Sequence, residues 1–97
     1  MEKASITIIM PTYNKEQYVT AALDSIFMQE TDYAYQIIIA DDCSQDNTVP
    51  IIKEYQKNHP GIITLLESKK NQKLYKNVLR AYAQTKTDYF TVLDPDD

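Results

Sequence analysis

The chain has 97 residues, 43% hydrophobic and 25% charged, which is enough for one small hydrophobic core and too little for two. Ten basic against fourteen acidic side chains give a net charge of −4, which opposes general attraction to a phosphate backbone and excludes nucleic acid as the expected partner. The single cysteine, Cys43, excludes an internal disulfide and cannot build a zinc site alone, and the single glycine, Gly61, excludes the Gly-rich phosphate loops of dinucleotide and P-loop proteins.

Taken in chain order, Ser5 to Met10 is β-branched and apolar and predicts a first buried strand, ended by Pro11. The same apolar run is too short for a signal-peptide core or a membrane span, which predicts a cytoplasmic chain, with any attachment to the cytosolic membrane face left to other segments. Asn14 is placed to cap a helix running to about Gln29, with Tyr18, Ala21, Ala22, Ser25 and Ile26 on one face. Tyr35 to Ala40 predicts a second buried strand. Asp46 or Asn47 caps a second helix from Thr48 to Asn58, with Pro50 in its first turn, Pro60 just past its end and Ile51, Ile52 and Tyr55 facing inward. His59, at that helix end, reads as a surface residue near the negative pole of the helix dipole.

Gly61 turns the chain into a third strand, Ile62 to Leu66. A third helix from about Asn71 to Gln84 follows, with Leu74, Val78, Ala81 and Tyr82 on one side, and Tyr89 to Leu93 forms strand four. Strands apolar on both faces and separated by helices imply a parallel sheet covered by helices on both faces and joined by right-handed crossovers. The expected fold is therefore α/β, a Rossmann-like βαβαβαβ half-fold over residues 1–97. With strand order 3-2-1-4 the ligand crevice falls beyond the carboxyl ends of strands one and four. Polar clusters end three strands there: Pro11-Thr12-Tyr13-Asn14, then Asp41-Asp42-Cys43-Ser44-Gln45-Asp46, then Asp94-Pro95-Asp96-Asp97. Carboxylates two residues apart on a turn after a buried strand suit a Mn²⁺ or Mg²⁺ ion that also holds phosphate oxygens.

In order and spacing, these three segments resemble the start of family-2 glycosyltransferases with the GT-A fold. The resemblance covers nearly the whole chain but about the first third of a typical member. It implies a truncated GT-A fold, a nucleotide-sugar (donor) binding part whose acceptor-binding part is absent. It further implies inverting transfer of a sugar, most simply from a UDP-sugar, to the hydroxyl of a glycan or lipid-linked acceptor in polysaccharide or glycoconjugate synthesis. Pro11, Thr12 and Tyr13 would line the nucleotide pocket, with the Tyr13 ring against uracil or, as a plain alternative, a half-buried aromatic at a helix start. Asn14 is assigned to capping. Asp42 would accept the uracil N3–H, a contact that cytosine cannot supply.

Asp94 would lie near the ribose or a metal-bound water, and Asp96 would ligate the cation, with Asp97 competing for that role. Lys69, Lys70, Lys73, Lys76 and Arg80 lead into and along the third helix, and Lys76 or Arg80 would reach the donor. Ser44 and Asp46 are assigned to capping, with Asp41 a turn or cap group. The chain departs from the family where Cys43 and Thr87 stand at positions usually held by glycine, and where Gln72, Lys73 and Leu74 follow Asn71 with no glycine. The catalytic base of an inverting transfer is expected beyond Asp97, and an open strand-four edge predicts self-association. Two other classes fit less well. A sugar nucleotidyltransferase would need a Gly-rich, basic loop after strand one, and a receiver-like α/β interaction module would need an acidic pair there.

Overall fold

The computed structural model describes residues 5–28, 34–69, 89–93 and 95. Within them the chain runs β1 (Ser5–Thr12), α1 (Glu16–Phe27), β2 (Ala34–Asp41), α2 (Thr48–Asn58), β3 (Ile63–Glu67) and β4 (Tyr89–Val92). Every described pairing is parallel and the strand order is β3-β2-β1-β4, as the alternation of strand and helix predicts. The third helix expected over 71–84 lies outside the described residues.

Side chains alternate across the sheet. Ile8 and Met10 of β1 and Ile37 and Ile39 of β2 face α1 and α2, joining Val19, Leu23, Ile26, Ile52 and Ile63 in the main core. Ile9, Ile38 and Ala40 point the other way and form a second buried cluster with Leu66. Burial on both faces is why these strands read as unbroken apolar runs.

The structure corrects three local expectations. β1 does not stop at Pro11 but continues through Thr12, in register with Ala40 and Asp41. The Ile9 carbonyl accepts from the Leu93 amide, so Pro11, two residues on, faces the β4 side where the register has already ended at Ile9↔Val92. Its missing N–H therefore costs no ladder bond. On α1 the inward residues are Val19, Leu23 and Ile26, with Ala22 half-buried, whereas Tyr18, Ala21 and Ser25 are exposed. The large aliphatic side chains decide the helix rotation, because burying them removes more apolar area than burying alanine and serine. α1 also ends earlier than expected, at Phe27 with Met28 as its C-cap.

His59 is the third correction. It is half-buried at the C-cap of α2, and its ring stacks on Phe27 at 3.7 Å between centroids and 7° between planes. Tyr35 and Tyr55 complete this aromatic group, which closes the core at the C-terminal ends of both helices. The Tyr55 hydroxyl donates to Asp24 Oδ1, and that bond, with burial and the Asp24 charge, pushes its pKa up from 10.0 to about 12. Because the folded value is the higher one, the Tyr55 contribution to stability is complete below pH 10.0 and is lost as pH rises through about 12. Tyr55→Phe is expected to lose the highest-pH phase of the tyrosinate absorbance titration and to flatten the alkaline fall in stability. An unchanged titration would contradict the Asp24 bond.

Candidate functional site

The loops that carry the first two polar clusters leave the sheet side by side because the register pairs Thr12, the last residue of β1, with Asp41, the last of β2. The Asp42 amide donates to the Thr12 carbonyl at 2.8 Å, and the Ser68 amide to the Asp41 carbonyl at 2.9 Å. On the other side of β1, the Leu93 amide donates to the Ile9 carbonyl at 2.8 Å, so the chain leaves β4 at the same edge. β1 therefore has β2 on one flank and β4 on the other, the point where strand order reverses and a crevice opens.

The β1–α1 and β2–α2 loops are bound to each other by side chains. Thr12 Oγ1 donates to Asp41 Oδ1 at 2.7 Å, the Ser44 hydroxyl donates to the same oxygen at 2.5 Å, and the Ser44 amide donates to Asp41 Oδ2 at 2.9 Å. Ser44 Oγ in turn accepts from the Asn14 amide at 2.9 Å, and Asn14 Oδ1 accepts from the Gln45 amide at 2.8 Å. One turn further, Thr48 Oγ1 accepts from the Lys15 amide at 2.8 Å, and Asp46 Oδ2 accepts from the Glu16 amide at 3.2 Å. The free amides at the start of α1 are thus met by side chains from the start of α2 and the loop before it.

This arrangement revises the capping assignments. Asn14 does not cap α1. Its φ is +52°, a left-handed conformation that asparagine tolerates, and Lys15 takes the N-cap position without a side-chain bond. Ser44 is a bridge between Asp41 and Asn14 rather than a cap. Asp46 does cap: Oδ1 accepts from the Thr48 amide at 3.0 Å and the Thr48 hydroxyl at 2.5 Å, with Asn47 occupying the N-cap position. Burial pushes the Asp46 carboxyl up, but the hydrogen bonds from Thr48 and from the Glu16 amide outweigh it and hold its pKa below the usual carboxylate value.

Of the residues expected at the site, Pro11, Thr12 and Asp42 are buried, the last two at 2% and 4% exposure, and Tyr13 beside them is 43% exposed. The structure brings these four together. Lys70, Lys73, Lys76, Arg80, Asp94, Asp96 and Asp97 lie outside the described residues. Pro95, between Asp94 and Asp96, is buried in a turn. Among the described residues, no group of three or more His, Cys, Asp or Glu stands ready to hold a metal ion, and no helix is long and apolar enough to cross a membrane. Sequence reasoning missed Thr48, which is fully buried and ties Lys15 to α2. The Asp46-Asn-Thr48 spacing held that signal but was read only as a local helix start.

The profile of Glycosyl transferase family 2 matches residues 7–97, nearly the whole sheet and all three polar clusters. The chain belongs to glycosyltransferase family 2. An uncharacterised glycosyltransferase of Mycoplasma pneumoniae is 36% identical over 96 residues, covering 98% of this chain and 32% of that protein. The structure of Staphylococcus aureus TarS 1-349 in complex with UDP-GlcNAc superposes with a TM-score of 0.85 at 26% identity, over 95% of this chain and 26% of that one. The mannosyltransferase PcManGT of Pyrobaculum calidifontis, solved with GDP-Man and Mn²⁺, gives 0.88 over 98% and 28%, but at 22% identity that likeness is one of fold. The family 2 chain described here thus spans about a third or less of these relatives, and its β3-β2-β1-β4 parallel sheet is that of the GT-A glycosyltransferases.

The backbone at Cys43 is one that glycine would suit better. Cys43 has φ +65°, the left-handed region, and its half-buried thiol donates weakly to the Lys69 carbonyl at 3.5 Å. The left-handed conformation costs an L-residue about 1–2 kcal/mol, and the extra chain entropy of glycine offsets about half of that. Cys43→Gly is therefore expected to raise stability by about 0.5 kcal/mol, and Cys43→Val to lower it, since a β-branched side chain fits that region worst. Urea unfolding of the two variants checks the order.

Proposed function

We propose that the chain is the donor-binding part of an inverting glycosyltransferase that moves a sugar from a UDP-sugar to an acceptor hydroxyl in polysaccharide or glycoconjugate synthesis. The observation that carries this reading is the pairing of buried Asp42 with half-exposed Tyr13 at the switch point of the sheet, held there by the Thr12–Asp41 register. A residue with a hydrogen-bond acceptor and one with an aromatic face thus stand on neighbouring loops, and a uracil base calls for both. The 26% identical TarS structures that hold UDP-GlcNAc or UDP support the same donor class.

The acids after β4 suit a divalent cation because their oxygens are hard ligands and Pro95 is buried in a turn between two of them. Asp96 would hold Mn²⁺ or Mg²⁺, with Asp94 and Asp97 as further ligands. When bound, the cation offsets the charge that builds on the departing nucleoside diphosphate. The chain's own residues do the rest of the donor work: Tyr13 stacks on the base, Asp42 selects it, Pro11 and Thr12 wall the pocket, and the positive charge of Lys76 or Arg80 would serve the diphosphate. Glycan or lipid-linked acceptors belong to the whole protein. The β4 edge, where Val92 is 46% exposed, supports self-association as well.

Calorimetric titration with UDP, with and without Mn²⁺ and with CDP as competitor, tests the reading. Metal-dependent UDP binding that CDP does not displace, and that Asp96→Ala weakens, is expected. Preference for a nucleoside triphosphate would favour a nucleotidyltransferase instead, and binding of neither by the folded chain would favour an interaction module.

A further inference from the structure

We infer that Asp41 is a positioning residue that sets base selectivity without touching the donor, acting through Thr12 on one side of Tyr13 and through Ser44 on the other; the inference rests on the donor reading above. Asp41 is buried and its carboxylate is engaged by Thr12 and Ser44, which leaves the donor contact to its neighbour Asp42. Both of its oxygens accept hydrogen bonds. Oδ1 takes the Thr12 and Ser44 hydroxyls at 2.7 and 2.5 Å, and Oδ2 takes the Ser44 amide at 2.9 Å. Thr12 precedes Tyr13 directly, and Asn14 follows it with its amide donated to Ser44 Oγ at 2.9 Å.

The backbone on both sides of Tyr13 is therefore anchored to one carboxylate, directly through Thr12 and by way of Ser44 through Asn14. The same carboxylate belongs to the residue before Asp42, whose amide is fixed to the Thr12 carbonyl at 2.8 Å. Aromatic face and base-reading acid thus share a single frame. A ring at the tip of an exposed loop would otherwise sample several poses relative to Asp42, and a selective contact needs placement within a fraction of an ångström. Asn14, at φ +52°, then turns the chain into α1.

The test separates selectivity from folding and from general affinity. In the wild-type protein, affinities for UDP, CDP and inorganic pyrophosphate are measured with Mn²⁺ present, and then in Ser44→Ala, Ser44→Thr and Asp41→Asn. Ser44→Ala removes a half-buried hydroxyl and is expected to fold with a melting temperature close to wild type. It is expected to weaken UDP about 10-fold, to shrink the UDP-over-CDP preference by about 5-fold and to leave pyrophosphate unchanged, with Ser44→Thr restoring both. Asp41→Asn, if it folds, is expected to act in the same direction and further.

Wild-type selectivity in Ser44→Ala would overturn the inference, as would equal loss of UDP and pyrophosphate, which is the mark of a purely structural role. Absence of a UDP preference in the wild-type protein overturns the donor reading itself, and the two failures are told apart by that first measurement.

Discussion

Asp42→Asn is expected to weaken UDP binding by about 10- to 100-fold and to bring CDP close to UDP in affinity. The physical argument is that the aspartate carboxylate only accepts, so it matches the N3–H of uracil and repels the N3 lone pair of cytosine. A hydrogen bond to a charged group is worth about 1.5–3 kcal/mol, which sets the size of the loss. The asparagine amide, free to turn, offers either an oxygen to uracil or an N–H to cytosine, so discrimination falls further than volume change alone would cause. Asp42 is 4% exposed, and its amide, unaffected by the substitution, still donates to Thr12, so the loop frame is expected to persist. Calorimetry against both nucleotides, beside a thermal melt, reads the effect. Asp42→Asn with full UDP preference would remove Asp42 from the site.

Ile39→Ala is expected to cost about 2–5 kcal/mol and to bring the protein close to its unfolding threshold, since small domains hold only about 5–15 kcal/mol in total. Ile39 is fully buried in β2, an inner strand of the sheet, paired with Met10 of β1 and Leu65 of β3. It sits in the cluster with Val19, Leu23 and Ile52, so truncation leaves a hole lined by both helices. β2 also carries Asp41 and Asp42 at its end, which makes the site sensitive to the same loss. Urea unfolding with an unchanged slope and a lowered midpoint is the expected result. A loss below about 1 kcal/mol would mean that the helices collapse onto the gap.

Much of the fold was legible because its strands are buried on both faces. Runs such as Ile37-Ile-Ile39 leave no polar face to expose, so a parallel sheet was the economical solution, and β3-β2-β1-β4 is the order of the half-fold that it implied. The helix from Thr48 to Asn58 was equally plain, with Pro50 in its first turn and Pro60 past its end. Less legible was α1, whose sequence carries small residues on one face and large aliphatics on an adjacent one, a rotation that only the volume available above the sheet decides. His59 was misread for a related reason: its partner Phe27 lies 32 positions away in the chain, outside any local pattern.

By itself the sequence determined the alternation of strands and helices, the polar clusters that follow β1 and β2 and membership of a glycosyltransferase family, because each of these is written in local periodicity or in short motifs. The tertiary structure alone decided how those clusters are held. Asn14 looked like a local cap, yet the amides of Lys15 and Glu16 are met by Thr48 and Asp46, 33 and 30 residues further on. Asp41 and Ser44 looked like turn residues, yet they bind the loop that carries Tyr13. A buried hydrogen bond forms with whichever partner folding brings within 3 Å or so, and in a parallel sheet the nearest partners belong to the neighbouring strand's loop, about a crossover's length away in sequence.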